Sequence, residues 1–313
     1  MHLMHLRLAG SAAAIVVAIS LNVAHAQSKT TAERLGYPRD SKLLIIHADD
    51  LAVAHSEDAA SFDALERQAA TSASIMVLCP WLTEVAAWAK AHPDADLGLH
   101  LTVTSEWKTY RWGPVESKDK VSSLLDADGY LWPDNDPATK NIKAEEAERE
   151  IRAQIDKAMV MGIHPTHVDS HMGEFFERPD LFAVYLKVAR EYKLPFLAAL
   201  TPNAPKELVS QLSPKDVILD NVVMAFPEVP VANWKNFYLE AIKSLKPGVT
   251  EFIVHLAHDD AEMQAITIGH PDYGSVWRQR DYEVITSPEL KKALEDNHII
   301  LIHWRDIGKL LQQ

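Results

Sequence analysis

The sequence predicts an α/β fold built on a parallel sheet, and three observations support this prediction. Eight short apolar runs are separated by stretches of helical length, which is typical of parallel strands joined by helical crossovers. The composition, 47% hydrophobic and 24% charged with 11 glycines, is that of a globular protein with a substantial core. The length of 313 residues fits a single α/β barrel, or two smaller domains.

Periodicity and capping residues locate the elements. The strands are predicted at residues 43–47, 74–78, 97–101, 166–169, 196–199, 217–219, 252–255 and 299–302. A helix is predicted at 143–161, where five apolar residues share one face: Ala147, Ile151, Ile155, Ala158 and Met159. Further helices are predicted at 178–192 and from Ser287 onward, each with a proline in its first turn. Two stretches without clean periodicity, 105–141 and 256–275, directly follow strands, so we expect them to wall an active site.

The N-terminal 26 residues are predicted to be a secretory signal. Arg7 precedes a short apolar run, and the small residues Ala24 and Ala26 form a cleavage site before Gln27. The alternative is a retained membrane anchor, for which the apolar run is short. We therefore expect an exported protein, periplasmic or secreted, without a membrane anchor after cleavage.

Charge and cysteine content exclude several functions. The net charge is −13 and the chain has no Lys/Arg run, which argues against nucleic acid or anionic membrane as a partner. Cys79 is the only cysteine, so no internal disulfide can form. It follows an apolar run, which favours a buried small hydrophobe over a thiol nucleophile.

Polar residues with metal-binding chemistry lie at the ends of the predicted strands. They are Asp49, Asp50, His100, His167, Asp169, His171 and His255. Carboxyl ends of parallel strands converge on one face of a sheet, and on a strand the alternation of His-x-Asp-x-His would put its three side chains on one side. Two imidazoles and one carboxylate are a typical set of ligands for a divalent ion. One aspartate of the pair would then be a ligand and the other a general base, although a helix cap with a solvated neighbour is the simpler interpretation of such a pair.

Five segments carry a resemblance to a known family. "IIHADDLA", "TSASIMV", "DLGLHLTVT", "HPTHVDSH" and "TEFIVH" occur in the order and approximate spacing of the YdjC-like carbohydrate deacetylases, relatives of the polysaccharide deacetylases. The resemblance extends from residue 42 to residue 313. It implies a single (β/α) barrel-like domain of the glycoside hydrolase/deacetylase type that removes an N-acetyl group from a sugar or oligosaccharide.

The resemblance also implies roles for individual residues. Asp50, His100 and His171 would bind one divalent metal ion, with Mg or Zn expected, and Asp49 would be the base. Three departures concern the pocket walls: Leu51-Ala52 replaces the usual Phe-Gly, Met172-Gly173 replaces histidines, and Leu256-Ala257 replaces Pro-Gly after His255.

The general acid and the substrate surface are less specified. His255 is the candidate acid, with a structural role as the alternative, and His258 could replace or orient it. Aromatic residues in the first long loop could stack on sugar rings or simply pack the loop: Trp107, Tyr110, Trp112, Tyr130 and Trp132. The same metal site could also hydrolyse another amide, an ester or a phosphate bond, or the fold could bind carbohydrate without turnover. Assembly into a homo-oligomer stays open.

Overall fold

The computed structural model describes residues 17–18, 29–198 and 204–312. The strands are β1 Val17–Ala18, β2 Lys42–Leu51, β3 Ser72–Ile75, β4 Leu97–Leu101, β5 Val168–Ser170, β6 Asn221–Met224, β7 Gly248–Val254 and β8 Ile299–Leu301. The α-helices are α1 Thr31–Arg34, α2 His55–Glu66, α3 Leu82–Ala91, α4 Asn135–Asn141, α5 Ala144–Val160, α6 Pro179–Glu191, α7 Lys206–Val209, α8 Trp234–Ser244, α9 Ala261–Ile266, α10 Ser275–Ile285, α11 Pro288–Asp296 and α12 Trp304–Gly308.

The predicted signal segment, residues 1–26, lies outside the described residues except for Val17–Ala18. These two residues pair antiparallel with β6. Within the ranges that the structure describes, no helix is both long and apolar enough to span a membrane.

Strand β2 is the centre of the sheet. Strand β7 pairs with one edge of β2 from Lys42 to Ala48, while β8 and then β3 pair with the other edge. The order along the sheet is β1-β6-β7-β2-β3-β4-β5, and every pairing except that of β1 is parallel. The predicted α/β fold with a parallel, barrel-like sheet is therefore confirmed, and the carboxyl ends of β2, β4, β5 and β7 point the same way.

The period-two alternation of β2 feeds two hydrophobic clusters. Leu44 and Ile46 belong to the larger cluster, which includes the apolar faces of α5 and α6, whereas Leu43 and Ile45 belong to a smaller one with Trp304. A strand that is buried on both faces needs a continuous apolar run, which explains the sequence of residues 43–46.

The predicted helices are confirmed with small corrections. Helix α5 buries Ala147, Ile151, Ile155 and Ala158, but Met159, predicted for the same face, is 47% exposed. Helix α6 has proline at its start, and the Ser287 side chain caps α11 by accepting a hydrogen bond from Leu290 N–H. The two irregular stretches contain short helices, α4 and α9, that their sequences did not indicate.

Several strand predictions need correction. The strand predicted at 74–78 is Ser72–Ile75 in the structure, and Met76 and Val77 are buried beyond its end. Residues 217–219 are not a strand: Val217 and Leu219 are buried in the smaller cluster, and pairing with β7 begins only at Asn221. Their apolar pattern reports burial rather than strand pairing. The predicted strand at 196–199 is reduced to a bridge from Phe196 to Val168, with residue 199 outside the described part of the chain. The strand predicted at 43–47 is longer in the structure. Because β2 continues through Leu51, the aspartate pair lies within the strand and not after it.

Candidate metal centre

The aspartate pair lies at a backbone irregularity near the end of β2. The register of β2 with β3 shifts between Ala48 and Leu51, and Asp50 has a φ of 73°, in the left-handed region. Such a conformation is uncommon for residues other than glycine and tends to persist at functional sites. Both aspartates are buried, and Oδ1 of Asp50 accepts no hydrogen bond from the described residues.

Three predicted ligands meet at this oxygen. Asp50 Oδ1 lies 3.4 Å from His100 Nε2 and 3.5 Å from His171 Nδ1, and the three ligand atoms are all within 4.8 Å of one another. Two atoms that each bind a tetrahedral ion at about 2.1 Å are separated by about 3.4 Å. The spacing and the chemistry of these residues therefore fit one divalent ion.

The other nitrogen of each histidine is held by a carboxylate. His100 Nδ1 lies 2.6 Å from Asp169 Oδ1, and His171 Nε2 lies 3.0 Å from Glu106 Oε2. Carboxylates in this position fix the ring orientation of metal-binding histidines and raise their basicity. Asp169 comes from the predicted His-x-Asp-x-His segment, whereas Glu106 lies in the first long loop and had no sequence signal beyond its position after β4.

A buried arginine completes the surroundings of Asp50. Arg278 on α10 donates a hydrogen bond from Nη2 to Asp50 Oδ2 at 2.7 Å, and both residues are almost fully buried. Burial alone would raise the pKa of Asp50, but Arg278 and His171 lower it well below its ordinary value. Asp50 is therefore ionised, with one oxygen held by Arg278 and the other directed at the two histidines.

Neighbouring carboxylates raise the pKa of both proposed histidine ligands. Burial alone would lower the pKa of His171, but Glu106 and Asp50 raise it to about 10. The pKa of His100 is raised in the same way, because Asp169 and Asp49 outweigh the effect of burial. Binding of a cation must therefore displace the proton that His171 carries at neutral pH.

Asp49 faces the same space from the neighbouring position. Its Oδ2 lies 3.7 Å from His100 Nε2 and 3.9 Å from His255 Nε2, while its Oδ1 lies 3.2 Å from His47 Nε2. His100 and Asp169 also form a second possible ligand group with Asp49, within the same 4.8 Å limit. The structure thus places both aspartates beside His100.

His255 reaches the site and His258 has different surroundings. The backbone N–H of His255 donates to Asp281 Oδ2 at 3.2 Å, and burial together with Arg278 lowers the pKa of its imidazole to about 4. His255 is therefore neutral at pH 7. The ring of His258 packs edge-on against Tyr282 with 4.9 Å between centroids.

A family model described as "YdjC-like protein" matches residues 43–296, which include Asp49, Asp50, His100, His171 and His255. The chain belongs to the YdjC-like family. A carbohydrate deacetylase of Thermus thermophilus is 32% identical over 291 residues, which cover 89% of this chain and 98% of the relative. A chitooligosaccharide deacetylase of Yersinia enterocolitica is 29% identical, with 81% and 94% of the two chains covered. A crystal structure from Enterococcus faecalis, of a protein proposed to cleave cellobiose phosphate, superposes with a TM-score of 0.74 at 27% identity and covers 85% of this chain and 99% of its own.

The departures from the usual YdjC-like pattern lie beside this site. Ala52, where the family usually has glycine, has a φ of 79°, and its N–H donates to Asp58 Oδ1 at 2.6 Å. Met172 has a φ of 53° and is 39% exposed, and Gly173 also has a positive φ. The backbone is thus left-handed at Ala52, Met172 and Gly173, where the side chains differ from the usual pattern.

His167 is not part of the group around Asp50, because the expected strand face is not formed. Strand β5 contains only Val168–Ser170, so His167 precedes it and His171 begins a 3-10 turn. The His167 ring stacks on Trp304, with 5.0 Å between centroids. Gly98 makes room for it, since a Cβ there would lie 2.3 Å from His167 Cε1. His167 does share a third possible ligand group with His47 and Asp169, on the buried side of the site.

The aromatic residues of the first long loop mostly pack. Trp107 and Trp112 are buried, with Trp107 beneath the guanidinium of Arg278 at 5.6 Å and Trp112 edge-on to His171 at 6.2 Å. Tyr110 donates to the carbonyl of Val53 at 2.7 Å. Trp132 also donates its indole N–H, to Ser123 O, and Tyr130 is 39% exposed beside Arg111 and Lys118. The two buried tryptophans therefore pack behind the site, which favours the predicted packing role over a surface that stacks on sugar rings.

Cys79 is buried, and burial raises the pKa of its thiol well above the ordinary value. It is therefore a small core residue, as the sequence indicated.

Proposed function

We propose that this protein is a metal-dependent carbohydrate deacetylase that hydrolyses an N-acetyl group on a sugar or oligosaccharide. The observation that carries the proposal is the separation of about 3.4 Å between Asp50 Oδ1 and the facing nitrogens of His100 and His171, with Asp49 adjacent. The names of the relatives, carbohydrate deacetylase and chitooligosaccharide deacetylase, support the choice of an acetylated sugar as substrate.

Asp50, His100 and His171 would hold one divalent ion, with Zn or Mg as the candidates. When bound, such an ion lowers the pKa of water and polarises a carbonyl oxygen. Asp169 and Glu106 keep the two imidazoles oriented towards it, and Arg278 keeps Asp50 directed through one oxygen. Bound carbohydrate would present its acetyl group in front of Asp49.

Asp49 and His255 would move the protons. Asp49 accepts a proton from the water molecule whose oxygen bonds to the acetyl carbon, and the C–N bond then breaks to give acetate and the sugar amine. Because His255 is neutral, we assign it the transfer of that proton from Asp49 to the departing nitrogen, across the 3.9 Å between Asp49 Oδ2 and His255 Nε2. His255 would thus act as an acid only after Asp49 has taken the proton.

A substrate panel tests this proposal. The purified protein, supplied with Zn²⁺ or Mg²⁺, would be assayed for acetate release from N-acetylglucosamine oligomers, O-acetylated xylose and 4-nitrophenyl acetate. We expect the N-acetylated sugars to have the highest kcat/KM. Preferential ester cleavage would contradict the proposed substrate bond, and sugar binding without acetate release from any substrate would indicate a binding protein.

We also propose that the protein is exported and that the mature chain begins at Gln27, on the basis of Arg7, the apolar run and the Ala24-His25-Ala26 site. N-terminal sequencing of the exported protein should find Gln27 as the first residue. A protein recovered with residues 1–26 still attached would contradict it.

A further inference from the structure

His47 is a buried histidine of β2 that lies beneath the site and belongs to none of the roles assigned above. It is 0% exposed. Its Nε2 is 3.0 Å from Asp169 Oδ2, 3.1 Å from Ser74 Oγ and 3.2 Å from Asp49 Oδ1. One nitrogen of His47 therefore faces two carboxylates that have separate tasks in the site.

The neighbours of His47 determine which nitrogen carries a proton. The Asp169 carboxylate can only accept hydrogen bonds, so Nε2 donates to its Oδ2, and Asp49 Oδ1 lies 3.2 Å from the same nitrogen. On the other side of the ring, Nδ1 lies 3.7 Å from Glu251 Oε1, and that oxygen accepts a hydrogen bond from Trp304 Nε1 at 2.7 Å. The imidazole of His47 therefore lies between Asp169 and Asp49 on one side and Glu251 on the other.

Asp169 connects His47 with a proposed metal ligand. Its Oδ2 accepts from His47, and its Oδ1 lies 2.6 Å from Nδ1 of His100. Asp49 Oδ1, which lies 3.2 Å from the same His47 nitrogen, is buried and accepts no hydrogen bond from the described residues. The N–H at Nε2 of His47 therefore lies close to two carboxylates: Asp169, which orients His100, and Asp49, the proposed general base.

We propose that His47 is a positioning residue that fixes Asp169 and Asp49 relative to each other through the N–H at Nε2. This inference rests on the proposed function, since it assigns Asp49 as the base and His100 as a ligand. Without that N–H, the repulsion between the buried carboxylates of Asp169 and Asp49 is less well offset. Asp169 then orients His100 less well, and Asp49 is displaced from the water that it must deprotonate.

A matched pair of substitutions isolates the N–H. His47→Gln has an amide that reaches the position of Nε2 and can donate there, whereas His47→Met has a similar length and no donor. Each purified variant would be stripped with a chelator and titrated with Zn²⁺ by calorimetry. Acetate release from N-acetylglucosamine oligomers would be measured on the reconstituted protein, with thermal unfolding to establish that each variant is folded.

We expect His47→Met to bind Zn²⁺ roughly 10- to 100-fold more weakly than the unsubstituted protein. At saturating Zn²⁺ its kcat should fall by about the same factor, with the KM for the sugar within about threefold, because His47 does not line the substrate space. His47→Gln should recover most of both losses. A histidine that served only to fill the core would give two variants with similar kcat and Zn²⁺ affinity.

The zinc titration keeps this inference separable from the proposed function. If the unsubstituted protein released no acetate, the proposed function would fail, yet the affinities of the two variants would still test His47. Zn²⁺ affinity for folded His47→Met equal to that of the unsubstituted protein would overturn the inference. If His47→Met does not fold, folded His47→Gln with a 10-fold or greater loss of both affinity and kcat would overturn it as well.

Discussion

Removal of the buried arginine beside Asp50 should be costly. Arg278 is 1% exposed and Asp50 is 2% exposed, and their 2.7 Å contact is the charge-assisted hydrogen bond that compensates the Asp50 carboxylate. Arg278→Met leaves that carboxylate buried without its partner, a change that typically costs about 3–5 kcal/mol. We therefore expect the free energy of unfolding of the metal-free protein to fall by that amount. Urea titration in the presence of a chelator, followed by tryptophan fluorescence, measures the change.

The same helix offers a control for this experiment. Arg280, two residues further along α10, lies over the ring of Trp234 at 4.9 Å, so Arg280→Met should cost about 1 kcal/mol or less. Excess Zn²⁺ should recover part of the loss in Arg278→Met, because a bound cation replaces the missing charge beside Asp50. Equal losses in the two variants, or a loss below about 1 kcal/mol for Arg278→Met, would refute this account of Asp50.

Three further predictions concern the site. Asp49→Asn should retain its metal while kcat falls by about 10²- to 10⁴-fold, because the amide cannot accept the proton; loss of metal together with activity would make Asp49 a ligand instead. His171→Ala should abolish stoichiometric metal binding, whereas His167→Ala should retain it, since His167 packs on Trp304; the opposite result by elemental analysis would reverse the ligand assignment. Zn²⁺ affinity should weaken by about tenfold per displaced proton for each unit that the pH is lowered from 8 to 6, because the pKa of His171 is raised to about 10 in the metal-free protein and the ion competes with that proton. A pH-independent affinity in a calorimetric titration would contradict this.

The sequence predicted those parts of the fold that depend on local pattern. Apolar periodicity predicts helix α5, and the cap at Ser287 predicts α11. Each of these signals is local, because the residues that carry it are only a few positions apart in the sequence. Periodicity misplaced β6, because Val217 and Leu219 are buried without pairing. Burial and strand pairing produce the same apolar pattern in so short a segment.

Only the part of the candidate site that lies at the ends of the parallel strands could be predicted from the sequence. Asp49, Asp50, His100 and His171 meet because parallel strands share a direction. The supporting contacts were not predictable in the same way, since Arg278 is separated from Asp50 by 228 residues and reaches it from a helix. His167 has the residue type and spacing of a ligand, and only the short length of β5 and the stack on Trp304 distinguish it from His171.

The most direct test of the central claim measures acetate release as a function of bound metal. The purified protein would be stripped with a chelator, dialysed, and titrated with Zn²⁺ or Mg²⁺ while acetate release from N-acetylglucosamine oligomers and metal content are followed in the same samples. Loss of the metal's contribution of several kcal/mol should lower the rate by at least about 100-fold, and activity should return in proportion to bound metal up to one ion per chain. Full acetate release by protein that contains no metal would contradict the claim that Asp50, His100 and His171 hold a catalytic ion.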